Sequence, residues 1–429
     1  MRIDPGGRLR GVVDVPGDKS ISHRYALLGA MARGTTEIEN YSSSIDCRST
    51  LRCLAELGVE VEHEGTSVRL RSEGWRRLQA PRRQLDAGNS GTTIRLLSGI
   101  LAGRPFTSRI AGDDSLNRRP MRRIIEPLTR MGADIAASRG EFPPLEIRGA
   151  ELRSVEYAPP VASAQVKSCI LLAGLEAEGE TVVEEKAATR DHTERALPLF
   201  GGSVRVAGLR VAVSGPQELT AARARVPGDI SSAAFFLVAA LLLPGSEVRF
   251  RGVGVNPTRS ALLELLERSG APIERTDLRE VGAEPVCDLV VRSGTEFLAD
   301  FPREIGGDWI PGLIDEIPIL AVLATRVPGG VTIRDAGELR KKESDRIAAI
   351  VTNLRALGVQ VEEWADGFHV EYTPEPEGGE VRTFGDHRIA MAFTVAGLHS
   401  RRGVELDDPG CAGVSYPEFF ADLQRLQEP

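Results

Sequence analysis

Val15-Pro16-Gly17-Asp18-Lys19-Ser20 is a short stretch that returns nearly unchanged as Val226-Pro227-Gly228-Asp229-Ile230-Ser231. Two halves of similar plan therefore begin at these two points. The first copy carries Lys19 and is followed by Arg24, whereas the second copy has no cation at the matching positions. The first copy is either an anion-binding loop ahead of a helix N-terminus or an ordinary Pro-Gly turn with an Asp or Ser N-cap.

The size and charge of the chain limit what it can be. Its 429 residues exceed one ordinary core and predict two domains. The 41% of hydrophobic and 27% of charged residues are typical of a globular protein. A formal net charge of −8 argues against nucleic-acid binding. Local basic clusters therefore indicate small anionic ligands.

Several kinds of site and segment are not expected. The five cysteines are scattered without a C-x-x-C pair, which predicts a reduced, cytoplasmic protein. Residues 1–5 are followed by no apolar run, so we expect no secretory signal, and the apolar run 233–243 is too short to span a membrane. The histidines and cysteines lack metal-ligand spacing, so we expect no metal site, and Walker and dinucleotide motifs are missing, so we expect no bound nucleotide.

One sequence pattern recurs along the chain: a helical segment that ends in Leu-Gly or a close variant, followed by a strand-like segment of alternating polarity. A glycine just after the last periodic position is the expected helix C-cap. The six helical segments lie at 48–58, 122–132, 193–201, 257–270, 346–358 and 416–426, the last one incomplete. Such regular spacing predicts a structural repeat.

Each repeat also holds an earlier helix of small and aliphatic residues, which we expect to be buried. These helices are predicted at 22–32, 91–102, 163–175, 231–243, 314–325 and 387–398. Three repeats then lie on each side of Val226. The strand-like segment 9–15 has no repeat of its own, so we expect it to complete the C-terminal domain. The chain would cross between domains near 15–17 and 226–228, giving domains 16–226 and 1–15 plus 227–429.

Polar and charged motifs stand at the starts of these helices. In the first half they are Gly88-Asn89-Ser90-Gly91-Thr92-Thr93 with Arg95, Asp114-Ser115-Leu116-Asn117-Arg118-Arg119-Pro120-Met121, Ser163-Ala164-Gln165-Val166-Lys167-Ser168, and Thr189-Arg190-Asp191-His192-Thr193. Glycines, hydroxyls and N–H groups suit a carboxylate or phosphate, although plain turns and N-caps explain several of them equally well. For His192 a capping or packing role is the better interpretation.

The second half adds acid and base groups. Asp315-Glu316 begins an apolar helix, Lys341-Lys342-Glu343-Ser344-Asp345-Arg346 offers a base, an acid and a cation within one turn, and Gly385-Asp386-His387-Arg388 opens the last buried helix. Dense mixed charge is otherwise typical of a solvated face. The cations at helix starts in both halves predict two small, multiply anionic substrates held between the domains.

Taken in order, these motifs resemble one family, 5-enolpyruvylshikimate-3-phosphate synthase, over essentially the whole chain. The motifs that carry the resemblance are Asp18-Lys19-Ser20-Ile21-Ser22-His23-Arg24, Gly88-Asn89-Ser90-Gly91-Thr92, Arg119-Pro120-Met121, Ser163-Ala164-Gln165, Lys342-Glu343-Ser344-Asp345-Arg346 and Asp386-His387-Arg388. The resemblance implies an α/β fold, a two-domain inside-out α/β barrel with three β-α-β-α-β-β repeats in each domain. It also implies transfer of the enolpyruvyl group of phosphoenolpyruvate to the 5-hydroxyl of shikimate 3-phosphate, with release of phosphate, in the shikimate pathway to chorismate.

The resemblance assigns a role to each motif residue. Shikimate 3-phosphate would be bound by Lys19, Ser20, Arg24, Ser163, Ala164, Gln165, Arg190, Asp315 and Lys342. Phosphoenolpyruvate would be bound by Lys19, Asn89, Gly91, Thr92, Arg119, Gln165, Arg346, His387 and Arg388. The catalytic groups would be Asp315, Lys342 and Glu343, with Asp315 accepting the proton of the 5-hydroxyl and Glu343 protonating the methylene carbon. The family needs neither cofactor nor metal.

One position departs from the family pattern. Some members carry a phosphoenolpyruvate-binding lysine shortly before the final Phe-Pro or Tyr-Pro, where this chain has Val414. Phosphoenolpyruvate would then be bound by one cation fewer, or Lys341 would take the role of the missing lysine. Gly91, where glyphosate-tolerant members carry alanine, predicts that glyphosate inhibits this chain. The family is usually monomeric, and we expect a monomer here.

Two alternatives remain from the sequence. UDP-N-acetylglucosamine enolpyruvyl transferase shares the architecture and the donor, but that family normally carries a cysteine in the loop at 113–119, and this loop has none. A non-catalytic anion sensor on the same repeat would be expected to lose Asp315, Lys342 and Glu343, all of which are present.

Overall fold

The structure, a computed structural model, describes residues 1–427. The chain forms two compact units. The N-terminal unit comprises Gly17–Pro227 and Glu280–Glu284, and among the described residues the C-terminal unit comprises Met1–Pro16, Gly228–Arg279 and 285–427. The sequence analysis predicted domains 16–226 and 1–15 plus 227–429, whereas Glu280–Glu284 make their contacts within the N-terminal unit. No helix within residues 1–427 is long and apolar enough to cross a membrane.

Hydrogen bonds fix the repeated Pro-Gly-Asp stretches. In the N-terminal unit the Asp18 amide donates to the Pro227 carbonyl at 2.8 Å. In the C-terminal unit the Asp229 amide donates to the Pro16 carbonyl at 2.9 Å. A side chain at Gly17 would overlap the carbonyl oxygen of Asn40, so only glycine fits there. The two stretches are therefore paired with each other, which the similarity of their sequences alone did not reveal.

Thirteen α-helices are found in residues 1–427. Their bounds are α1 Lys19–Met31, α2 Ile45–Glu56, α3 Gly91–Ala102, α4 Arg122–Arg130, α5 Ala164–Gly174, α6 His192–Leu199, α7 Ile230–Leu242, α8 Ala261–Arg268, α9 Trp309–Leu313, α10 Ile317–Ala324, α11 Arg346–Ala356, α12 His387–Leu398 and α13 Phe419–Gln427. Short 3₁₀ helices lie at Trp75–Arg77, Leu116–Arg118, Glu296–Ala299, Gly337–Lys341 and Pro409–Val414.

The β-strands of the same residues alternate with these helices. Their bounds are β1 Arg2–Ile3, β2 Arg10–Val13, β3 Ala32–Glu39, β4 Glu60–Glu64, β5 Ser67–Glu73, β6 Leu85–Asp86, β7 Thr107–Ala111, β8 Asp134–Ser138, β9 Phe142–Arg148, β10 Glu156–Tyr157, β11 Gly179–Glu184, β12 Arg205–Ala207, β13 Arg210–Gly215, β14 Leu219–Thr220, β15 Arg223–Arg225, β16 Glu247–Gly254, β17 Ile273–Val281, β18 Glu284–Arg292, β19 Glu304–Ile305, β20 Val331–Ile333, β21 Val361–Trp364, β22 Gly367–Val370, β23 Gly379–Val381 and β24 Val404–Leu406.

The strands form six small sheets with one recurring order. In the sheet β6-β7-β9-β8 the first pair is parallel and the other two pairs are antiparallel. The sheets β10-β11-β13-β12 and β19-β20-β22-β21 repeat this arrangement. The predicted repeat is therefore a real structural unit.

The N-terminal segment completes two sheets of the C-terminal unit. Strand β2 pairs in parallel with β16, and β1 pairs antiparallel with β24. In the N-terminal unit the matching first strand comes from the end of that unit, since β14 and β15 both pair in parallel with β3. Strand β2 thus belongs to the fourth repeat, while β1 supplies the strand that the incomplete sixth repeat lacks.

Buried helices form the interior of each unit, as predicted. Every residue of α7, α10 and α12 is buried, and α3 packs on α5 as α10 packs on α12. Strands such as β5 alternate exposed and buried residues and so cover these helices from outside. The predicted α/β class, with helices inside and sheets outside, is confirmed. Several helix starts differ from the expected ones. The helix expected from residue 314 begins at Ile317, because Pro318 fits only the first turn. The helix expected from residue 22 already begins at Lys19, capped by Asp18, and the segment expected from residue 257 becomes helical only at Ala261.

Candidate functional site

The N-terminal end of α1 collects polar groups. Asp18 caps the helix by accepting from the Ile21 amide at 2.9 Å. Lys19, the first helical residue, places its Nζ 2.9 Å from Asp46 Oδ2. The side chain of Lys19 is 18% exposed, so its charge remains accessible to a ligand.

Arg24 lies one turn further and is buried. Its Nε donates to Thr193 Oγ1, one terminal nitrogen to Ser168 Oγ and the other to the Ser20 carbonyl, each at 2.8 Å. Burial lowers the pKa of Arg24 to about 10, against the opposing effect of Glu194, so the guanidinium stays charged at neutral pH.

A second guanidinium approaches the same serine. A terminal nitrogen of Arg190 lies 3.3 Å from Ser20 Oγ. Two positive side chains and a hydroxyl therefore meet at the start of α1, where the helix dipole adds further positive potential. This arrangement can hold an anion with more than one negative charge.

The starts of α3 and α5 form a neighbouring polar group. Ser163 caps α5 by accepting from the Val166 amide at 3.4 Å. Gln165, in the first turn, accepts from an Arg95 terminal nitrogen at 2.6 Å and donates to Thr92 Oγ1 at 2.9 Å. The two helix starts are thereby linked through side chains that the sequence assigned to substrate binding.

The loop before α3 is tied to Arg119. A terminal nitrogen of Arg119 donates to Asn89 Oδ1 at 2.9 Å, and Asn89 in turn donates to Asp113 Oδ2 at 2.8 Å. A Cβ atom at Gly91 would lie 2.8 Å from a terminal nitrogen of Arg95 and 3.5 Å from one of Arg119. Glycine therefore leaves room next to two guanidinium groups.

Two side chains near this group serve the fold. Lys167 is buried and forms ion pairs of 2.8 Å with Glu185 and 2.7 Å with Glu194. Buried His192 contacts Glu284 Oε1 through Nδ1 at 2.7 Å, which agrees with the packing role expected for it. Lys167 had been considered together with Gln165 as a binding group, but its paired, buried ammonium points to a structural role.

In the C-terminal unit three carboxylates surround Arg346, the first residue of α11. Its Nε lies 2.8 Å from Asp386 Oδ2, and its terminal nitrogens lie 3.2 Å from Asp315 Oδ1 and 2.6 Å from Glu343 Oε2. Burial alone lowers the pKa of Arg346, but Asp386, Glu343 and Asp315 outweigh it and raise the pKa above its ordinary value. Arg346 is therefore permanently charged.

Asp386 organises two helix starts. It accepts from Ser344 Oγ at 3.0 Å and caps α12 by accepting from the Arg388 amide at 2.9 Å. Burial raises the pKa of Asp386, yet the Arg346 charge outweighs burial and holds this pKa below its usual range. His387, also assigned to phosphoenolpyruvate, is buried at the first position of α12.

Asp315 lies between α9 and α10 and is surrounded by cations. Lys342 Nζ is 3.4 Å and Arg388 Nε 3.8 Å from Asp315 Oδ1, while an Arg388 terminal nitrogen donates to the Asp315 carbonyl at 2.9 Å. The three predicted catalytic side chains, Asp315, Lys342 and Glu343, thus share one charged cluster with Arg346. A carboxylate can accept a proton, so the cluster places a general base beside Lys342 and Arg388.

Some family members carry a lysine where this chain has Val414, and Lys341 was the candidate to replace it. Neither residue lies in this cluster. Val414 ends a 3₁₀ helix and is half-buried. The side chain of Lys341 is 58% exposed and forms an ion pair of 3.7 Å with Glu338, on its own turn. Sequence reasoning assigned no role to the residues that hold the cations, namely Asp46, Ser168, Thr193 and Asp386. Ser168, Thr193 and Asp386 stood in recognised motifs, whereas Asp46 did not.

Within residues 1–427 no group of three or more His, Cys, Asp or Glu side chains has the geometry of a metal site. The candidate groups are instead cations, hydroxyls and helix N-termini, which suit anions. Such anion-binding groups occur in the N-terminal unit and in the C-terminal unit, each taken by itself.

Comparison with known proteins agrees with this chemistry. The family model for EPSP synthase (3-phosphoshikimate 1-carboxyvinyltransferase) matches residues 3–423. The 3-phosphoshikimate 1-carboxyvinyltransferase of Solibacter usitatus (strain Ellin6076) is 50% identical over 427 residues, covering 100% of this chain and 99% of its own. That of Bacillus subtilis (strain 168) is 46% identical over 430 residues and covers 100% of both chains.

Solved structures show the same fold. The EPSP synthase of Acinetobacter baumannii superposes with a TM-score of 0.86 at 39% identity, covering 99% of this chain and 97% of that chain. The enolpyruvyl transferase NikO of Streptomyces tendae gives 0.79 at 19% identity, covering 99% and 96%, and supports the fold alone. The fold and the charged clusters therefore define an enolpyruvyl transferase-like enzyme.

The chain belongs to the EPSP synthase (3-phosphoshikimate 1-carboxyvinyltransferase) family. The family, fold and enzyme class predicted from the sequence are confirmed. Members of this family bind shikimate 3-phosphate and phosphoenolpyruvate.

Proposed function

We propose that this chain transfers the enolpyruvyl group of phosphoenolpyruvate to the 5-hydroxyl of shikimate 3-phosphate. The 5-oxygen adds to C2 of phosphoenolpyruvate while C3 gains a proton, which gives a tetrahedral intermediate. Loss of a proton from the new methyl group and departure of inorganic phosphate then leave the enol ether. The reaction needs proton transfer and charge stabilisation, and the two charged clusters supply groups for both.

The N-terminal unit takes most contacts to shikimate 3-phosphate in this proposal. Ser20 and Arg24 bind the carboxylate. Ser163, Ala164 and Arg190 bind the 3-phosphate, and Gln165 lies against the ring. The support for this assignment is the approach of Arg24 and Arg190 to the same residue, Ser20, at a helix N-terminus.

Phosphoenolpyruvate is bound by cations in this proposal. Lys19, Gly91, Arg119, Arg346 and Arg388 contact its phosphate and carboxylate. Asn89, Thr92, Gln165 and His387 complete the set. The space that Gly91 leaves beside the Arg95 and Arg119 guanidinium groups supports its place among them. Val414 contributes no charge, so the binding rests on these residues without a further lysine.

Proton transfer is assigned to the C-terminal unit. Asp315 accepts the proton of the 5-hydroxyl, Lys342 holds that hydroxyl, and Glu343 protonates the methylene carbon. The observation that carries this proposal is the joint contact of Asp315 and Glu343 with one guanidinium, at 3.2 and 2.6 Å from Arg346. One cation thereby holds both carboxylates at fixed positions.

A phosphate-release assay tests the proposed function. The chain is given phosphoenolpyruvate with shikimate 3-phosphate, and separately with UDP-N-acetylglucosamine. We expect phosphate release only with shikimate 3-phosphate. Release with the UDP-sugar alone would assign the chain to the other enolpyruvyl transferase, and release with neither would favour an anion-binding protein without catalysis.

Further properties are part of the same proposal. Glyphosate inhibits the enzyme, which is a cytoplasmic monomer that binds neither nucleic acid nor membranes. The net charge of −8 argues against nucleic acid. Light scattering after size-exclusion chromatography should give the 46.3 kDa of one chain, and a doubled mass would contradict the monomer.

A further inference from the structure

The second copy of the repeated stretch, at 226–231, has no place in the proposed reaction, although it opens the wholly buried helix α7. Asp229 caps this helix by accepting from the Ser231 amide at 3.0 Å, and it also accepts from Ser232 Oγ at 3.1 Å. Both Asp229 and Ser231 are nearly inaccessible to solvent. This copy therefore places a carboxylate and a hydroxyl inside the C-terminal unit.

A series of side chains with alternating charge connects the second copy of the repeated stretch to Arg388. Asp229 Oδ1 lies 3.1 Å from one terminal nitrogen of Arg259, and the other terminal nitrogen lies 3.3 Å from Glu316 Oε1. Ser231 Oγ donates to the same Glu316 oxygen. The side chains of Arg259 and Glu316 are only 4% and 2% exposed, so water contributes little to their balance.

The chain of charges ends at Arg388. Glu316 Oε1 lies 3.8 Å from a terminal nitrogen of Arg388, and that same nitrogen donates to the Asp315 carbonyl. Arg388 is itself only 8% exposed at its side chain. Glu316 therefore stands between two buried guanidinium groups, and its negative charge offsets the repulsion between them.

We propose that Glu316, held by Ser231 and Arg259, is a positioning residue that keeps the Arg388 guanidinium in place to bind phosphoenolpyruvate. This inference rests on the proposed function, since Arg388 is assigned there to phosphoenolpyruvate. It gives the second copy of the repeated stretch a role: the first copy carries binding groups itself, and the second anchors a binding group carried by α12.

The test is a steady-state comparison of Glu316→Gln with the parent enzyme. Glutamine keeps the size of the side chain and removes its charge, so Arg259 and Arg388 repel each other and Arg388 moves. We expect the KM for phosphoenolpyruvate to rise about tenfold, with kcat and the KM for shikimate 3-phosphate within threefold of the parent. Arg259→Met should also raise the KM for phosphoenolpyruvate, because the surplus negative charge of Glu316 draws Arg388 inward.

The double variant separates positioning from simple destabilisation. Removing both charges restores electrical balance around Arg388, so the Arg259→Met/Glu316→Gln enzyme should have a lower KM for phosphoenolpyruvate than either single variant. Glu176→Gln is the matched control: Glu176 pairs with Arg104 in the N-terminal unit and is equally buried. Its melting temperature should fall by a similar amount, with unchanged KM values.

The possible outcomes distinguish a failure of the proposed function from a failure of this inference. An inactive parent enzyme would overturn the proposed function and this inference with it. An active parent whose Glu316→Gln variant keeps the KM for phosphoenolpyruvate, or loses kcat alone, would overturn the inference and leave the proposed function standing. Additive effects of the two single substitutions would also overturn it.

Discussion

Replacing Asp386 by asparagine tests how strongly the Arg346 cluster is coupled to the fold. Asp386 is fully buried, lies 2.8 Å from Arg346 Nε and caps α12. Breaking a buried ion pair from one side costs ~3–5 kcal/mol. Since Asp315 and Glu343 still compensate Arg346, we expect a loss of about 2–3 kcal/mol, below or at the lower end of that range. Asparagine keeps the cap, so Asp386→Ala should cost about 1 kcal/mol more.

The measurement is urea unfolding combined with hydrogen exchange of peptides from α12. Exchange isolates the C-terminal unit, because a chain of two units need not unfold in one step. Asp345→Asn is the matched control: Asp345 also caps a helix, α11, but its side chain is 40% exposed and it pairs with Arg340 at the surface. That variant should lose less than about 1 kcal/mol. Equal losses for the two asparagine variants would refute the reasoning.

Further predictions concern acid stability, binding and packing. Arg346 holds the pKa of Asp386 low in the folded state, so the ionised Asp386 stabilises the fold above the ordinary carboxyl pKa of about 3.9, and this stabilisation is lost as the pH falls through the lower pKa of the folded state. The difference in unfolding free energy between the parent and Asp386→Asn should therefore disappear in acid. A difference that stays constant with pH would contradict this linkage. Arg24→Met should raise the KM for shikimate 3-phosphate at least about tenfold in steady-state assays, since charged hydrogen bonds contribute ~1.5–3 kcal/mol; an unchanged value would remove Arg24 from that site. Gly91→Ala, whose Cβ would lie 2.8 Å from an Arg95 nitrogen, should weaken glyphosate inhibition more than phosphoenolpyruvate binding, and unchanged inhibition with normal phosphoenolpyruvate binding would mean that Gly91 is misplaced. Gly17→Ala should lower the melting temperature, because its Cβ would overlap the Asn40 carbonyl, and an unchanged melting temperature would show that the turn can relax.

The repeat could be predicted because its signals are local. Apolar helices followed by glycine and an alternating strand depend on 3.6- and 2-residue periods, which the sequence displays directly. Helices such as α3 and α12 begin and end where the pattern indicated. The start of α10 was missed because Pro318 decides it, against the apolar pattern that continues through Ile314.

Long-range pairings could not be predicted in the same way. The assignment of β1 to the sixth sheet and of residues 280–284 to the N-terminal unit depends on tertiary packing that no local period encodes. The candidate site shows the same limit. Its cations stood in recognisable motifs, but the partners that orient them, such as Thr193 for Arg24 and Glu316 for Arg388, lie far away in the sequence.

Nuclear magnetic resonance of the reaction mixture tests the central claim most directly. Phosphoenolpyruvate labelled with ¹³C at C2 is incubated with shikimate 3-phosphate and the enzyme, and ¹³C and ³¹P spectra are recorded over time. We predict that the label appears in an enol ether at the 5-oxygen while inorganic phosphate accumulates in equal amount. Label that stays in phosphoenolpyruvate, or that appears as pyruvate, would contradict enolpyruvyl transfer by this chain.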